Sequence, residues 1–83
     1  TLHTAISGGE NRLVLELTVG SGVSGRKVKD LALPNGVLAI LIYRDNDEII
    51  PRGDTSLQKG DRLLIFGRST SVNVARDMLL QLN

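Results

Sequence analysis

Between Leu13 and Val19 the chain reads Leu-Val-Leu-Glu-Leu-Thr-Val. Leu13, Leu15, Leu17 and Val19 recur at period two with Glu16 and Thr18 between them, the alternation of a strand with one buried face. Ahead of it, Ser7-Gly8-Gly9-Glu10-Asn11 reads as a turn or flexible lead-in, and Leu2 to Ile6 as a short edge strand. A Gly-rich loop, Gly20 to Gly25, follows. From Arg26 to Leu33, Val28, Leu31 and Ala32 fall at i, i+3 and i+4, which predicts a short amphipathic helix of about two turns. Pro34-Asn35-Gly36 ends it, because proline cannot continue the hydrogen-bond ladder and Asn-Gly supplies positive φ.

Val37-Leu38-Ala39-Ile40-Leu41-Ile42-Tyr43 is apolar at both alternating sets of positions. Such a strand is covered on both sides by its own chain, or on one side by another subunit. Arg44-Asp45-Asn46-Asp47-Glu48 is a tight polar turn and Ile49-Ile50-Pro51 begins a return strand, together a hairpin signal. Gln58-Lys59-Gly60-Asp61 is a second turn, and Leu63 to Phe66 make a last strand stopped by Gly67. Ser69 to Ser71 offer N-cap hydroxyls to a helix with Val72, Ala75, Leu79 and Leu82 on one face. The order of elements predicts an α+β domain: a small, largely antiparallel sheet with a short helix after the first strand and a C-terminal helix. Residues 1–12 are a lead-in segment and 13–83 one domain.

Composition narrows the function. A chain of 83 residues holds one modest core. Ten Lys+Arg against nine Asp+Glu give a net charge of +1, too little excess to bind a nucleic acid polymer by charge. Cysteine is absent, which excludes disulfides, thiol nucleophiles and thiolate metal sites. The single histidine, His3, lies in the lead-in and reads as solvated, and the turn carboxylates are solvated too, so no catalytic constellation forms and the chain reads as no enzyme. Only Tyr43 and Phe66 are aromatic, so the core is aliphatic. The longest apolar run is far below the ~20 residues needed to cross a bilayer. The start at Thr1, without Met or a signal pattern, reads as a segment of something longer.

Two motifs imitate known chemistry. Gly20-Ser21-Gly22-Val23-Ser24-Gly25 spells G-x-G-x-x-G between a strand and a helix, with Asp45 placed as the ribose-binding acid would be. Pro34 stops the helix too soon to recross a sheet, so the loop reads as a turn and not a dinucleotide site. Arg52-Gly53-Asp54 is an integrin-type tripeptide, but Gly and Asp are expected in any inter-strand loop. Arg44, ending the apolar strand, has two readings. Its head meets Asp45, Asp47 or Glu48, or it reaches a phosphate or carboxylate ligand at the rim of an apolar cleft.

The stretch from Glu16 through Val28, then Ile42-Tyr43-Arg44-Asp45, Ile49-Ile50-Pro51, Asp54-Thr55, Leu57 and Gly60-Asp61-Arg62-Leu63-Leu64-Ile65-Phe66-Gly67, resembles the TrkA C-terminal (RCK C-terminal) domain family. That family runs strand, Ser-x-x-x-Gly-Lys-like turn, short helix and a hydrophobic strand ending in Arg-Asp/Gly. It then follows "iiP-x-x-D-T-x-L-x-x-G-D-x-L-l-v-f-G". Here Arg26 stands where the family has Gly-Lys, with Lys27 one place on. The resemblance implies a cytoplasmic, ligand-sensing regulatory domain fused to or associated with a membrane ion channel or transporter of the potassium transport type. It acts as a homodimer. The alternative is a purely structural dimerisation module without a small ligand. The family's inter-subunit pocket corresponds here to Leu38, Ala39, Arg44, Ile49 and Ile50. No resident cofactor is implied, and nicotinamide or ATP belongs to a separate domain of the family. The ligand known for some members is cyclic di-adenosine monophosphate, which on a two-fold axis would set two phosphates before two Arg44 side chains. Asp54, Thr55, Gly60 and Asp61 read as architecture. The apolar run predicts a dimer through the uncovered sheet face or its edges. Replacing Ile40 with Glu is expected to cost several kcal/mol or abolish folding, as it would bury a charge.

Overall fold

A computed structural model describes residues 2–7 and 11–83. The strands are β1 (Leu2–Ser7), β2 (Arg12–Thr18), β3 (Val37–Arg44), β4 (Asp47–Ile49) and β5 (Arg62–Arg68), and one helix, α1 (Ser69–Leu82), closes the chain. They form a single sheet in the order β1-β2-β5-β3-β4, with every neighbouring pair antiparallel. This is the α+β class that the pattern predicts, with β1 as an edge strand. The turn expected over Gly8 to Glu10 and the side chain of His3 lie outside the described residues.

Register assigns the two faces of the sheet. Leu17, Leu63, Ile42 and Ile49 stand in one row across four strands, and Leu15, Ile65 and Ala39 in the next. Residues directly opposite each other share a face, and this face carries the core. Leu15, Leu17, Leu63, Ile65 and Ile42 are buried against Val72, Ala75 and Leu79 of α1. Each fully buried aliphatic side chain of this kind contributes about 1.5–3 kcal/mol, so the helix is held by its apolar stripe.

The short helix differs from expectation. Only one 3-10 turn forms, Val28–Leu31, instead of a two-turn helix over Arg26 to Leu33. Gly25 lies at φ +88° and Lys27 is extended, bridging to Ser56. The carbonyl of Arg26, which would accept the amide of Asp30 in an α-helix, accepts that of Leu57 at 2.8 Å instead, and Asp30 donates to the carbonyl of Lys27 in the tighter 3-10 pattern. Ala32, in the left-handed region at φ 54°, ends the turn.

Two boundaries also move. Gly67 does not stop β5 but lies within it, where a Cβ would overlap the backbone carbonyl of Gly36. The strand runs straight into α1, so the N-cap is Arg68, with no side-chain cap, and the amide of Ser69 donates to the carbonyl of Asn11 instead. The expected hydroxyl cap is absent because no loop residue separates strand from helix.

The apolar run of β3 is explained by a bulge. Its pairing with β5 shifts register between Ala39 and Leu41, so Ile40 is the extra residue. Ile40 is 38% and Leu38 63% exposed. Of the two arrangements expected for this strand, coverage of both sides by its own chain is not what forms: its own chain covers one side only.

Candidate functional site

The turn between β3 and β4 is Asp45-Asn46, with Asp45 at φ 54°, a conformation that Asp tolerates better than most residues. It sets Arg44 at the end of β3, on the same face as Ile42. There the guanidinium meets a carboxylate from across the sheet. Nε donates to Oδ1 of Asp61 at 2.9 Å and Nη2 to Oδ2 at 2.7 Å, and Nη2 also donates to the carbonyl of Ser56 at 3.0 Å. The expected partners Asp45, Asp47 and Glu48 make no ion pair with it among the described residues; the guanidinium points inward to the Gln58–Asp61 turn, away from the solvated tip. Asp61 is 2% exposed and also accepts the amide of Gln58 at 2.9 Å. Its hydrogen bond to Asp61 raises the Arg44 guanidinium further above its ordinary range. Burial pushes the Asp61 carboxyl up, but the Arg44 bonds, the Gln58 amide and the Arg44 charge together hold it below the usual carboxylate value.

The architectural residues behave as their chemistry predicts. Gly60 sits at φ +92°. Thr55 Oγ1 accepts the amide of Arg52 at 2.8 Å, and Asp54 pairs with Lys29 at 3.2 Å, which folds the Arg52-Gly53-Asp54 loop onto the 3-10 turn. The Gly-rich loop has a packing role: a Cβ on Gly22 would overlap the carbonyl oxygen of Leu82, so this glycine admits the end of α1.

The five residues expected to line a ligand site are not clustered in one protomer. Ala39 and Ile49 are half-buried against the core, Ile50 is 72% exposed, and Leu38 lies opposite Phe66 on the other face of the sheet. Leu38 and Arg44, six residues apart along a strand, are separated by about 20 Å. A cleft of about 370 Å³ lies elsewhere, lined by Thr18, Val19, Gly20, Lys59, Leu80 and Asn83 among others. Among the described residues no three His, Asp or Glu side chains come together to hold a metal ion, and no helix is long and apolar enough to cross a membrane.

The face without a helix is the uncovered one that the apolar run of β3 led to expect, but its charges are what the sequence hides. Val14, Phe66 and Leu38 form one row across it, and Leu64 and Leu41 stand beside Glu16 in the next. Towards the β3–β4 turn, Arg62 stacks over the Tyr43 ring at 4.8 Å and pairs with Glu16 at 3.8 Å. At the opposite end, Arg12 and Arg68 stand directly across from each other. Composition shows ten cations but not which of them become neighbours; only the register between strands 50 residues apart does that.

A sheet with one helix layer, a 3-10 turn after β2 and an Arg–Asp lock at the hairpin defines a small α+β domain with one sheet face free of helix among the described residues. Residues 13–80 match the TrkA-C domain model, and the chain belongs to the TrkA-C domain family. It is 38% identical over 71 residues to a Trk system potassium uptake protein TrkA homolog of Archaeoglobus fulgidus, covering 84% of this chain and 16% of that protein. It is 32% identical over 57 residues to the K(+)/H(+) antiporter NhaP2 of Shewanella oneidensis, covering 69% of this chain and 10% of that one. The chain thus spans a small part of both relatives. A solved RCK domain "with cda" superposes with a TM-score of 0.70 at 25% identity, covering 80% of this chain and 96% of that one. The family is one of transport-system domains and not of enzymes.

Proposed function

We propose that this domain is the cytoplasmic, ligand-sensing regulatory part of a potassium or related cation transport protein, and that it acts as a homodimer. The observation that carries the reading is the bare aliphatic surface along β3 and the hairpin, with Leu38, Ile40 and Ile50 exposed in a domain whose other face holds the core against α1. Relatives in potassium uptake and K(+)/H(+) antiport supply the transport context. The ligand site comprises Leu38, Ala39, Ile49 and Ile50 as apolar walls and Arg44 as the anion contact, drawn from two subunits because one protomer spreads them too widely. The "cda" of the structural neighbour, read as cyclic di-adenosine monophosphate, is the ligand to try first.

One observation favours a second reading, a structural dimerisation module without a ligand: Arg44 already gives Nε and Nη2 to Asp61 and Ser56. A phosphate would have to use the remaining donors of the guanidinium fork or displace Asp61. Titrating cyclic di-adenosine monophosphate by calorimetry into wild type, Arg44→Ala and the exposed-site variant Ile50→Glu separates the two. Heat from wild type that falls at least about tenfold in affinity in both variants supports the sensor. Silence from wild type leaves the structural module.

A further inference from the structure

The chain has five asparagines, and their carboxamides differ in surroundings. That of Asn83 accepts the amide of Gly20 at 2.9 Å and donates to the carbonyl of Thr18 at 3.2 Å. That of Asn73, half-buried on α1, accepts a hydrogen bond from Arg76 at 3.3 Å. Asn11 and Asn46 precede Arg12 and Asp47, so a side chain crowds the approach to the next amide. Asn35 is the exception. It is exposed, its side chain makes no hydrogen bond among the described residues, and Gly36 follows it. Gly36 is exposed too, at φ +84°, with open space where a Cβ would stand. The amide of Val37 donates to the carbonyl of Pro34 at 3.1 Å and closes this turn, which leaves the Gly36 amide without a partner among the described residues.

We propose that Asn35 is a site of spontaneous covalent modification, in which the Gly36 amide nitrogen attacks the side-chain carbonyl of Asn35 and the carboxamide nitrogen leaves as ammonia. Glycine leaves the attacking nitrogen unhindered. The step balances with water and hydroxide alone. Hydroxide takes the Gly36 amide proton, the N–Cγ bond forms, the Cγ–Nδ2 bond breaks, and the departing nitrogen takes a proton from water. Water then opens the five-membered imide. Attack at Cγ breaks the new bond and gives aspartate at position 35. Attack at the main-chain carbonyl carbon breaks the original peptide bond and gives isoaspartate, whose main chain is one carbon longer. Either product adds a negative charge.

Its position gives the reaction a consequence. Val37 is buried and pairs with Gly67, and the Gly36 carbonyl lies so near that a Cβ on Gly67 would overlap it. β3 and β5 therefore meet without slack where β3 begins. A carbon added between Pro34 and Val37 displaces the Pro34–Val37 hydrogen bond or the Gly36–Gly67 contact, and aspartate displaces neither. The inference is independent of the transport reading above.

Incubating the folded chain at mildly alkaline pH and following it by peptide mass spectrometry tests the site. Cleavage after Lys and Arg puts each asparagine in its own peptide, Asn35 in residues 30–44. That peptide should gain the mass of an OH-for-NH2 exchange at least about tenfold faster than any other. Electron-transfer fragmentation should find isoaspartate in part of it, and an isoaspartyl methyltransferase should label the chain. Asn35→Gln, which would have to close a slower six-membered ring, should stay unlabelled. Exchange at Asn35 only when the chain is unfolded in urea, or exchange at all five asparagines alike, overturns the proposal. Separated by ion exchange, the isoaspartate form should melt at least about 4 °C below Asn35→Asp. Equal melting of the two would overturn the link to the start of β3.

Discussion

Asp61 holds Arg44 by both carboxylate oxygens, tying the end of β3 to the turn that launches β5. The two residues are 17 apart in sequence and face each other across a strand pair. A bidentate pair with a nearly buried carboxylate is short and directional, and it lies where the hairpin leaves the sheet.

This pair gives the domain an acid-sensitive anchor. Because Arg44 and the Gln58 amide hold the folded-state pKa of Asp61 below its ordinary value, the pair stabilises above that value, about 3.9, and the stabilisation is lost as pH falls through the folded one. Urea melts of wild type should show stability declining below about pH 4. In Asp61→Asn that part of the slope should be missing, and the variant should be less stable at neutral pH by roughly 2–4 kcal/mol, since Arg44 keeps a half-buried charge without its partner. An identical slope in both proteins would remove Asp61 from the account.

The glycines make a sharper forecast than the charges. At Gly22 and Gly67 an added Cβ would overlap backbone carbonyl oxygens, of Leu82 and Gly36 respectively, and backbone cannot step aside as a side chain can. Gly22→Ala and Gly67→Ala should each cost more than about 2 kcal/mol, a fall of roughly 10 °C in Tm for a domain of this size. At Gly53 the nearest atom to an added Cβ is in the Lys29 side chain at 3.5 Å, so Gly53→Ala should melt close to wild type. Calorimetric melts of the three variants decide it.

Along β3, two isoleucines in the same apolar run should behave oppositely. Ile42 is completely buried, and Ile42→Glu places a charge in the core and should prevent folding. Ile40, at the bulge and 38% exposed, should accept Glu with a loss of about 1 kcal/mol or less in the monomer. Circular dichroism of the two variants at low concentration separates them, and an unfolded Ile40→Glu would restore the expectation drawn from sequence alone.

The alternation from Leu13 to Val19 and the spacing of Val72, Ala75 and Leu79 made β2 and the buried stripe of α1 readable, because burial on one face leaves a period in the sequence. The 3-10 turn was misjudged because the Arg26 carbonyl that an α-helix needs is claimed by the amide of Leu57, more than thirty positions away and outside any local window. The same holds for Arg44: its neighbours Asp45, Asp47 and Glu48 suggested themselves, while the true partner is fixed by sheet register. The motif around Ile49 to Gly67 did mark Asp61 as part of a turn, though not as a counter-ion. Arg12 and Arg68 left no sequence signal at all, since nothing local joins the two ends of β2 and β5.

Ile40 also works as a phase shift. By taking one residue out of step between Ala39 and Leu41, it lets Val37 and Ala39 face α1 while Ile42 and Arg44 still face the same way. Deleting it would return the strand to strict alternation, and one end or the other would have to turn over. Either Val37 and Ala39 would leave the core, or Ile42 would leave it and take Arg44 away from Asp61. A single residue with an apolar side chain thus keeps the packed half of β3 and its charged end in register, and its loss would be felt at Asp61 and not where it occurred.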